Sequence, residues 1–138
     1  MRAMVVTKPY TLEERQVPIP EIHKDEALIK IAYTGICGSD VHIYKGETPT
    51  AKPDVITGHE YSGVIEEIAP GSVNPAGLKK GDKVVGWIVE ACGTCDACLG
   101  GHTNLCRHLK CYGTQVDGTF REYISGPLTM LYKIPDSA

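Results

Sequence analysis

The stretch EACGTCDACLGGHTNLCRH, residues 90–108, places four cysteines among small, polar and turn-forming residues. Three of them follow one another at two-residue intervals and the fourth comes after a seven-residue gap: Cys92, Cys95, Cys98 and Cys106. Disulfides between such close neighbours would need strained loops, whereas this spacing is typical of cysteines that share one zinc ion. The stretch therefore predicts a projecting zinc lobe at about residues 90–111, with a closed structural site.

Two other uses of these cysteines are less consistent with the pattern. An iron–sulfur cluster favours a last gap of about three residues and a following proline, but here the last gap is seven residues and Arg107 follows. A redox-active C-x-x-C pair ordinarily lies at a βα junction, and the surrounding sequence does not predict one. Zinc is the interpretation that uses all four thiolates.

Length and composition restrict the class of protein. With 138 residues, of which 42% are hydrophobic and 22% charged, the chain can bury one real core, so one domain is expected. The net charge of -3 and the lack of a Lys/Arg run argue against a nucleic-acid partner. The N-terminus has no signal-peptide core, and the longest apolar run, VVGWIV, is too short to span a membrane. We therefore expect a soluble, cytoplasmic protein with reduced cysteines.

Short β-favouring runs recur along the chain: AMVV at 3–6, ALIKIAY at 27–33, YSGVIEEI at 61–68, DKVVGWIV at 82–89 and FREYIS at 120–125. Turn signals separate these runs, and the 15 glycines and 9 prolines favour a small barrel or sandwich over a helical bundle. Helix is predicted only in SDVHIYKG at 39–46, with Ser39 or Asp40 as its N-cap, and in the DACLGG of the cysteine segment.

A second group of reactive side chains lies in GICGSDVH, residues 35–42, and TGHEY, residues 57–61. Cys37 just precedes the predicted helix, whose positive end favours a thiolate. Taken singly, each residue has an ordinary structural explanation, such as a buried cysteine or a core histidine. Together, the thiolate of Cys37, the imidazole of His59 and the carboxylate of Glu60 could form an open metal site of the catalytic type.

Taken in order, the motifs GICGSDVH, GHE, the four cysteines and DGTFREY resemble the N-terminal catalytic segment of the zinc-dependent medium-chain alcohol dehydrogenases. The resemblance is to the branch that includes polyol and threonine dehydrogenases, and it covers essentially the whole chain. It implies a single domain over residues 1–138: a mainly β, GroES-like, partly open barrel with short helices and the projecting four-cysteine lobe.

The resemblance also implies a role for each residue of the second group. Cys37 and His59 would bind a catalytic zinc, with Glu60 beside it as an alternating ligand or neighbouring carboxylate. Asp40 would orient His59 from outside the ligand shell.

Two further residues of this group would handle the substrate. Ser39 would hydrogen-bond the substrate oxygen and pass its proton towards His42, which lies on the same helical face and can exchange it with solvent. Zinc would act as the Lewis acid, and hydride would pass between the substrate carbon and a nicotinamide cofactor.

One feature of the family is missing from this sequence. No G-x-G-x-x-G occurs, and after KIPDSA no chain remains for βαβ units, so NAD or NADP is expected to act only through a separate cofactor domain.

The sequence thus predicts the zinc-bearing catalytic half of an NAD(P)-dependent alcohol or polyol dehydrogenase, inactive by itself. The alternative is a non-catalytic zinc-binding or interaction module of the same fold. The expected partners are a small alcohol or polyol, together with a cofactor domain or a second copy of the chain.

Overall fold

The computed structural model describes residues 1–135, so the last three residues of the predicted domain, 136–138, lie outside the described residues. Ten strands account for most of the regular structure: β1 Arg2–Lys8, β2 Thr11–Gln16, β3 Glu26–Gly35, β4 Val55–Ile56, β5 Glu60–Ile68, β6 Lys83–Gly86, β7 Val89–Glu90, β8 Lys110–Cys111, β9 Tyr123–Pro127 and β10 Leu131–Lys133. Two short α-helices lie among the described residues: α1 Gly38–Lys45 and α2 Asp96–Leu99. No helix within this range is long and apolar enough to cross a membrane.

The strands form three antiparallel sheets. The largest has the order β10-β6-β5-β3-β9, the second β2-β1-β4, and the third is the β7-β8 pair at the base of the cysteine segment. The first two sheets meet where the chain before β9 runs along β1, with an isolated bridge between Ala3 and Arg121 and a hydrogen bond from the Met4 N–H to the Phe120 carbonyl at 2.8 Å. The result is a partly open barrel, and the predicted fold class is confirmed.

The core lies between the strands of the largest sheet and the segments that cover them. β3 and β5 alternate buried and more exposed residues, as expected for strands with one face towards a core. The main cluster is aliphatic: Ala27, Ile29, Ile65, Leu78, Val84, Ile124, Leu128 and Leu131. A smaller cluster joins β1, β4 and α1 through Val6, Val55 and Ile43. This packing fixes the end of β3 next to the start of β5.

Several local predictions need correction. The run at 82–89 is two strands, because β6 pairs with β5 and β10 whereas β7, at the start of the cysteine segment, pairs with β8. The run at 120–125 becomes strand only from Tyr123, since residues 120–122 bond to β1 instead. Helix α1 begins after Cys37, not after Ser39 or Asp40, and the Asp40 carboxylate caps it from within the first turn.

Candidate metal centres

The four cysteines of the segment at residues 90–111, here called the cysteine lobe, converge on one point. Their four sulfur atoms lie within 4.8 Å of one another. The Sγ–Sγ distances are 3.5 Å for Cys95–Cys98 and 4.0 Å for both Cys92–Cys98 and Cys95–Cys106. Four thiolates arranged tetrahedrally at about 2.3 Å from one zinc ion would be separated by about 3.8 Å. The donor set therefore fits a single zinc ion.

Hydrogen bonds around these sulfurs stabilise negative charge. The backbone N–H groups of Cys92 and His108 each donate to the Cys106 Sγ at 3.3 Å. Hydrogen bonds from the backbone and hydroxyl of Thr94 lower the pKa of Cys92 to about 5, whereas desolvation raises the pKa of Cys98 to about 12. Opposite shifts of this kind are expected when neighbouring thiols share protons, and a divalent cation is what allows all four to ionise.

Little else holds the cysteine lobe in shape. None of the residues of α2 is buried, and of the three leucines of the lobe, Leu99 and Leu105 are 75% and 65% exposed and Leu109 is half-buried. A lobe without a hydrophobic core of its own is the kind of segment that a metal ion would stabilise if its cysteines bound one.

The second group also converges. The Cys37 sulfur, a ring nitrogen of His59 and a carboxylate oxygen of Glu60 lie within 4.8 Å of one another, and we call these three residues the mixed-ligand cluster. Cys37 precedes α1, His59 lies in the loop after β4, and Glu60 begins β5. Sulfur, nitrogen and oxygen donors from three protein residues suit a zinc ion that keeps a fourth position for water or substrate.

Asp40 joins the two chain segments that carry this cluster. Its carboxylate is buried, with 4% of the residue exposed. Oδ2 accepts the Cys37 backbone N–H at 2.8 Å. Oδ1 accepts the Thr57 hydroxyl at 2.6 Å and the Gly58 N–H at 2.8 Å. The distance from Oδ1 to His59 Nδ1 is 3.6 Å, so Asp40 acts on His59 mainly through the backbone that precedes it.

Ser39 and His42, which the resemblance links in a proton path, have different partners. The Ser39 hydroxyl lies 3.4 Å from His59 Nε2, at the edge of the mixed-ligand cluster. His42 is exposed, and its Nδ1 lies 2.6 Å from a Glu47 carboxylate oxygen, an interaction that lowers the pKa of Glu47 below its usual range. Within residues 1–135 no hydrogen bond joins Ser39 to His42.

Two threonines that the sequence did not single out brace the start of β5. Thr34 Oγ1 donates to the backbone carbonyl of Glu60 at 2.9 Å. Because that bond uses the Thr34 hydroxyl proton, the fully buried Thr119 must be the donor in the 2.7 Å contact between the two hydroxyls. The DGTFREY motif includes Thr119 among the residues that carry the family resemblance, but it does not indicate that Thr119 supports Glu60.

The same motif packs its backbone against the loop that carries His59. The Gly118 N–H donates to the Ile56 carbonyl at 2.6 Å and the Thr119 N–H to the Gly58 carbonyl at 2.9 Å. A Cβ at position 118 would overlap the Gly58 carbonyl oxygen, so the close approach requires glycine. The chain that leaves the cysteine lobe thus helps to fix the mixed-ligand cluster.

Comparison with known proteins gives consistent matches. Residues 23–136 match the alcohol dehydrogenase GroES-like domain. A sorbitol dehydrogenase of Halalkalibacterium halodurans is 39% identical over 140 residues, covering 98% of this chain and 39% of its own length. An alcohol dehydrogenase of Geobacillus stearothermophilus is 40% identical over 142 residues, covering 99% of this chain and 41% of its own length.

A solved structure of an alcohol dehydrogenase also matches this chain. An Escherichia coli CFT073 alcohol dehydrogenase in complex with NADH superposes with a TM-score of 0.87 at 36% identity, over 99% of this chain and 39% of that one. The chain therefore spans about two fifths of the length of the proteins it matches.

Proposed function

Because the chain belongs to the family of zinc-dependent alcohol dehydrogenases, we propose that its mixed-ligand cluster is the catalytic metal centre of an NAD(P)-dependent oxidoreductase acting on small alcohols or polyols. The family membership, which the motif order predicted, is confirmed by the domain match over residues 23–136. The reaction, the substrate class and the nicotinamide cofactor are what we propose for this chain.

The observation that carries the proposal is the coupling of the Cys37 sulfur and the His59 imidazole by one buried carboxylate. Asp40 hydrogen-bonds the backbone of Cys37 on one side and of Gly58 on the other, so the sulfur and the imidazole are held together by the fold. A cysteine and a histidine placed for packing alone would not need such a bridge. Preorganised donors of this kind are what a catalytic metal site requires.

The chain's residues then have distinct tasks. When bound, zinc would supply Lewis-acid chemistry that lowers the pKa of an alcohol or polarises a carbonyl. Ser39, whose hydroxyl lies 3.4 Å from His59 Nε2, is placed to hydrogen-bond an oxygen at the open position. His42, exposed and bonded to Glu47, can exchange a proton with solvent once a substrate or water connects it to Ser39.

The cysteine lobe has a different role in this proposal. Its four thiolates fill all the positions of a tetrahedral ion and leave none for a substrate, so the ion would hold the lobe in shape and take no part in the reaction. The substrate class comes from the relatives: a sorbitol dehydrogenase and alcohol dehydrogenases support a polyol or simple alcohol.

Metal analysis tests the two sites separately. The chain should bind two zinc ions. Cys37→Ser or His59→Ala should remove one of them, and Cys98→Ser the other. The Cys111→Ser variant is the matched control, because Cys111 lies outside both clusters, and it should keep both ions. Binding of one ion only, unaffected by Cys37→Ser, would favour the non-catalytic module.

Activity is tested after fusing the chain to the part of the Halalkalibacterium halodurans sorbitol dehydrogenase, a relative at 39% identity, that this chain does not cover. NADH formation is then measured with sorbitol and with simple alcohols. The fusion should be active, and Ser39→Ala should lower kcat about 100-fold or more without loss of metal. A metal-loaded but inactive fusion would contradict the proposed function.

A further inference from the structure

We infer that Gly35 is a positioning residue: the space left by its missing side chain receives the Glu60 carboxylate and directs it towards Cys37 and His59. The inference rests on the proposed catalytic centre and deepens it. Gly35 ends β3 and is paired with Glu60, the first residue of β5, as the last pair of the β3–β5 ladder. The two residues face each other directly across the sheet.

The space above Gly35 is occupied by Glu60. A Cβ at position 35 would overlap the Glu60 Oε2 and would lie 3.2 Å from the Glu60 Cβ. Cβ atoms of directly opposed residues in an antiparallel pair are ordinarily about 4.5–5.5 Å apart. A side chain at position 35 would therefore require the Glu60 Cβ to shift by a few tenths of an ångström and the Glu60 carboxylate to move away.

The backbone gives no other reason for glycine at this position. Gly35 is not among the glycines with a positive φ, and it lies in a regular strand, so any L-residue could adopt its conformation. What a larger residue at position 35 would displace is the side chain of Glu60.

Nothing else in the described part of the chain holds that carboxylate. The backbone of Glu60 is fixed by the ladder and by the Thr34 hydroxyl, which donates to its carbonyl. Its carboxylate, however, has no hydrogen bond or ion pair with any residue in 1–135, and Glu60 is exposed to solvent. Its direction, with one oxygen within 4.8 Å of the Cys37 and His59 ligand atoms, therefore depends on the opening above Gly35.

A matched control is available immediately after Cys37. Gly38 begins α1, has no positive φ, and a Cβ there would meet no atom within 4 Å. Gly38→Ala makes the same chemical change as Gly35→Ala, and also lies next to Cys37 in sequence, one position away where Gly35 is two, but it leaves Glu60 untouched.

The experiment is a Co²⁺ titration of the 138-residue chain with the cysteine lobe already filled with zinc. The thiolate-to-cobalt absorption is followed, and the Cys37→Ser variant provides the baseline for cobalt bound elsewhere. Gly35→Ala should weaken the Cys37-dependent binding about 10–100-fold, as loss of a supporting group around a metal site typically does. Gly38→Ala should bind cobalt like the original chain.

A double-mutant cycle separates positioning from a general structural effect. If Gly35 acts through the carboxylate, Gly35→Ala should have almost no further effect on cobalt affinity in a Glu60→Ala background. Glu60→Asp, whose shorter side chain withdraws from the new Cβ, should restore part of the affinity lost in Gly35→Ala. Additive effects of the two alanine substitutions would overturn the inference.

Far-UV circular dichroism and the zinc content of the lobe report whether each variant folds. If Gly35→Ala alone unfolds while Gly35→Ala/Glu60→Ala folds, the overlap with Glu60 is the cause and the inference is supported. Unfolding of both would show that the backbone itself requires glycine and would overturn it. Failure of the original chain to bind cobalt through Cys37 would instead refute the proposed function.

Discussion

The cysteine lobe takes all four ligands from one short stretch, whose outermost members, Cys92 and Cys106, are 14 positions apart. The mixed-ligand cluster takes its ligands from two segments separated by α1 and β4, and the barrel brings those segments together. The lobe has almost no buried side chains, whereas the mixed-ligand cluster is tied to buried Asp40 and Thr119. The comparison indicates that the lobe has few contacts of its own to keep its shape, whereas the fold itself positions the residues of the mixed-ligand cluster.

The strongest test is to remove the lobe's ion. Cys98→Ser should abolish zinc binding there, because it removes one of the four thiolates. The effect should be large, since comparable structural sites contribute on the order of 10 kcal/mol of metal-binding free energy. Hydrogen exchange should then show loss of protection in the lobe while β3 and β5 stay protected. Full zinc content and unchanged exchange in the variant would show that the lobe does not depend on its ion.

The converse test disrupts the mixed-ligand cluster and leaves the lobe intact. Asp40→Ala removes the acceptor for the Cys37 N–H, the Thr57 hydroxyl and the Gly58 N–H. Stranding these buried donors should cost about 3–5 kcal/mol of unfolding free energy, measured by urea denaturation. Asp40→Asn keeps one acceptor oxygen and should lose less. A loss below about 1 kcal/mol for the alanine variant would mean that Asp40 does not hold the segments together.

A smaller effect is expected at the brace behind Glu60. Thr119→Val keeps the side-chain shape but removes the donor to the Thr34 hydroxyl, which should cost about 1–2 kcal/mol. Thr119→Ser retains the hydroxyl and serves as the control for that bond. Equal urea midpoints for the valine variant and the original chain would show that the brace contributes nothing to stability.

The smallest effect is expected at an exposed pair that belongs to neither cluster. The Arg2 backbone N–H and then its guanidinium lower the pKa of Glu122. A carboxyl whose folded pKa is depressed stabilises the protein above its unfolded pKa, and that stabilisation is lost as the pH falls through the folded value. Glu122→Gln should therefore be slightly less stable than the original chain at pH 7 and equally stable in acid. A difference in melting temperature that grows on acidification would contradict this assignment.

Where the sequence predicted structure correctly, the signal was local. The apolar alternation in ALIKIAY and YSGVIEEI predicted β3 and β5 because each strand buries one face. The charged strand β2, TLEERQ, escaped prediction because its residues are mostly exposed and it is held by its ladder with β1. The strand predicted at 120–125 was displaced because residues 120–122 bond to β1, a partner far away in sequence.

The same difference between local signals and contacts of distant segments applies to the two sites. Spacing alone determined the cysteine lobe, since a few residues of flexible chain can wrap four thiolates around one ion without help from the rest of the fold. The sequence also named Cys37, His59 and Glu60, but it could not indicate that Asp40 bonds the backbone on both sides, that Thr119 braces Glu60, or that Gly35 makes room for a carboxylate. Those features come from contacts between segments far apart in sequence, and only the packed barrel, by fixing which backbones lie side by side, determines them.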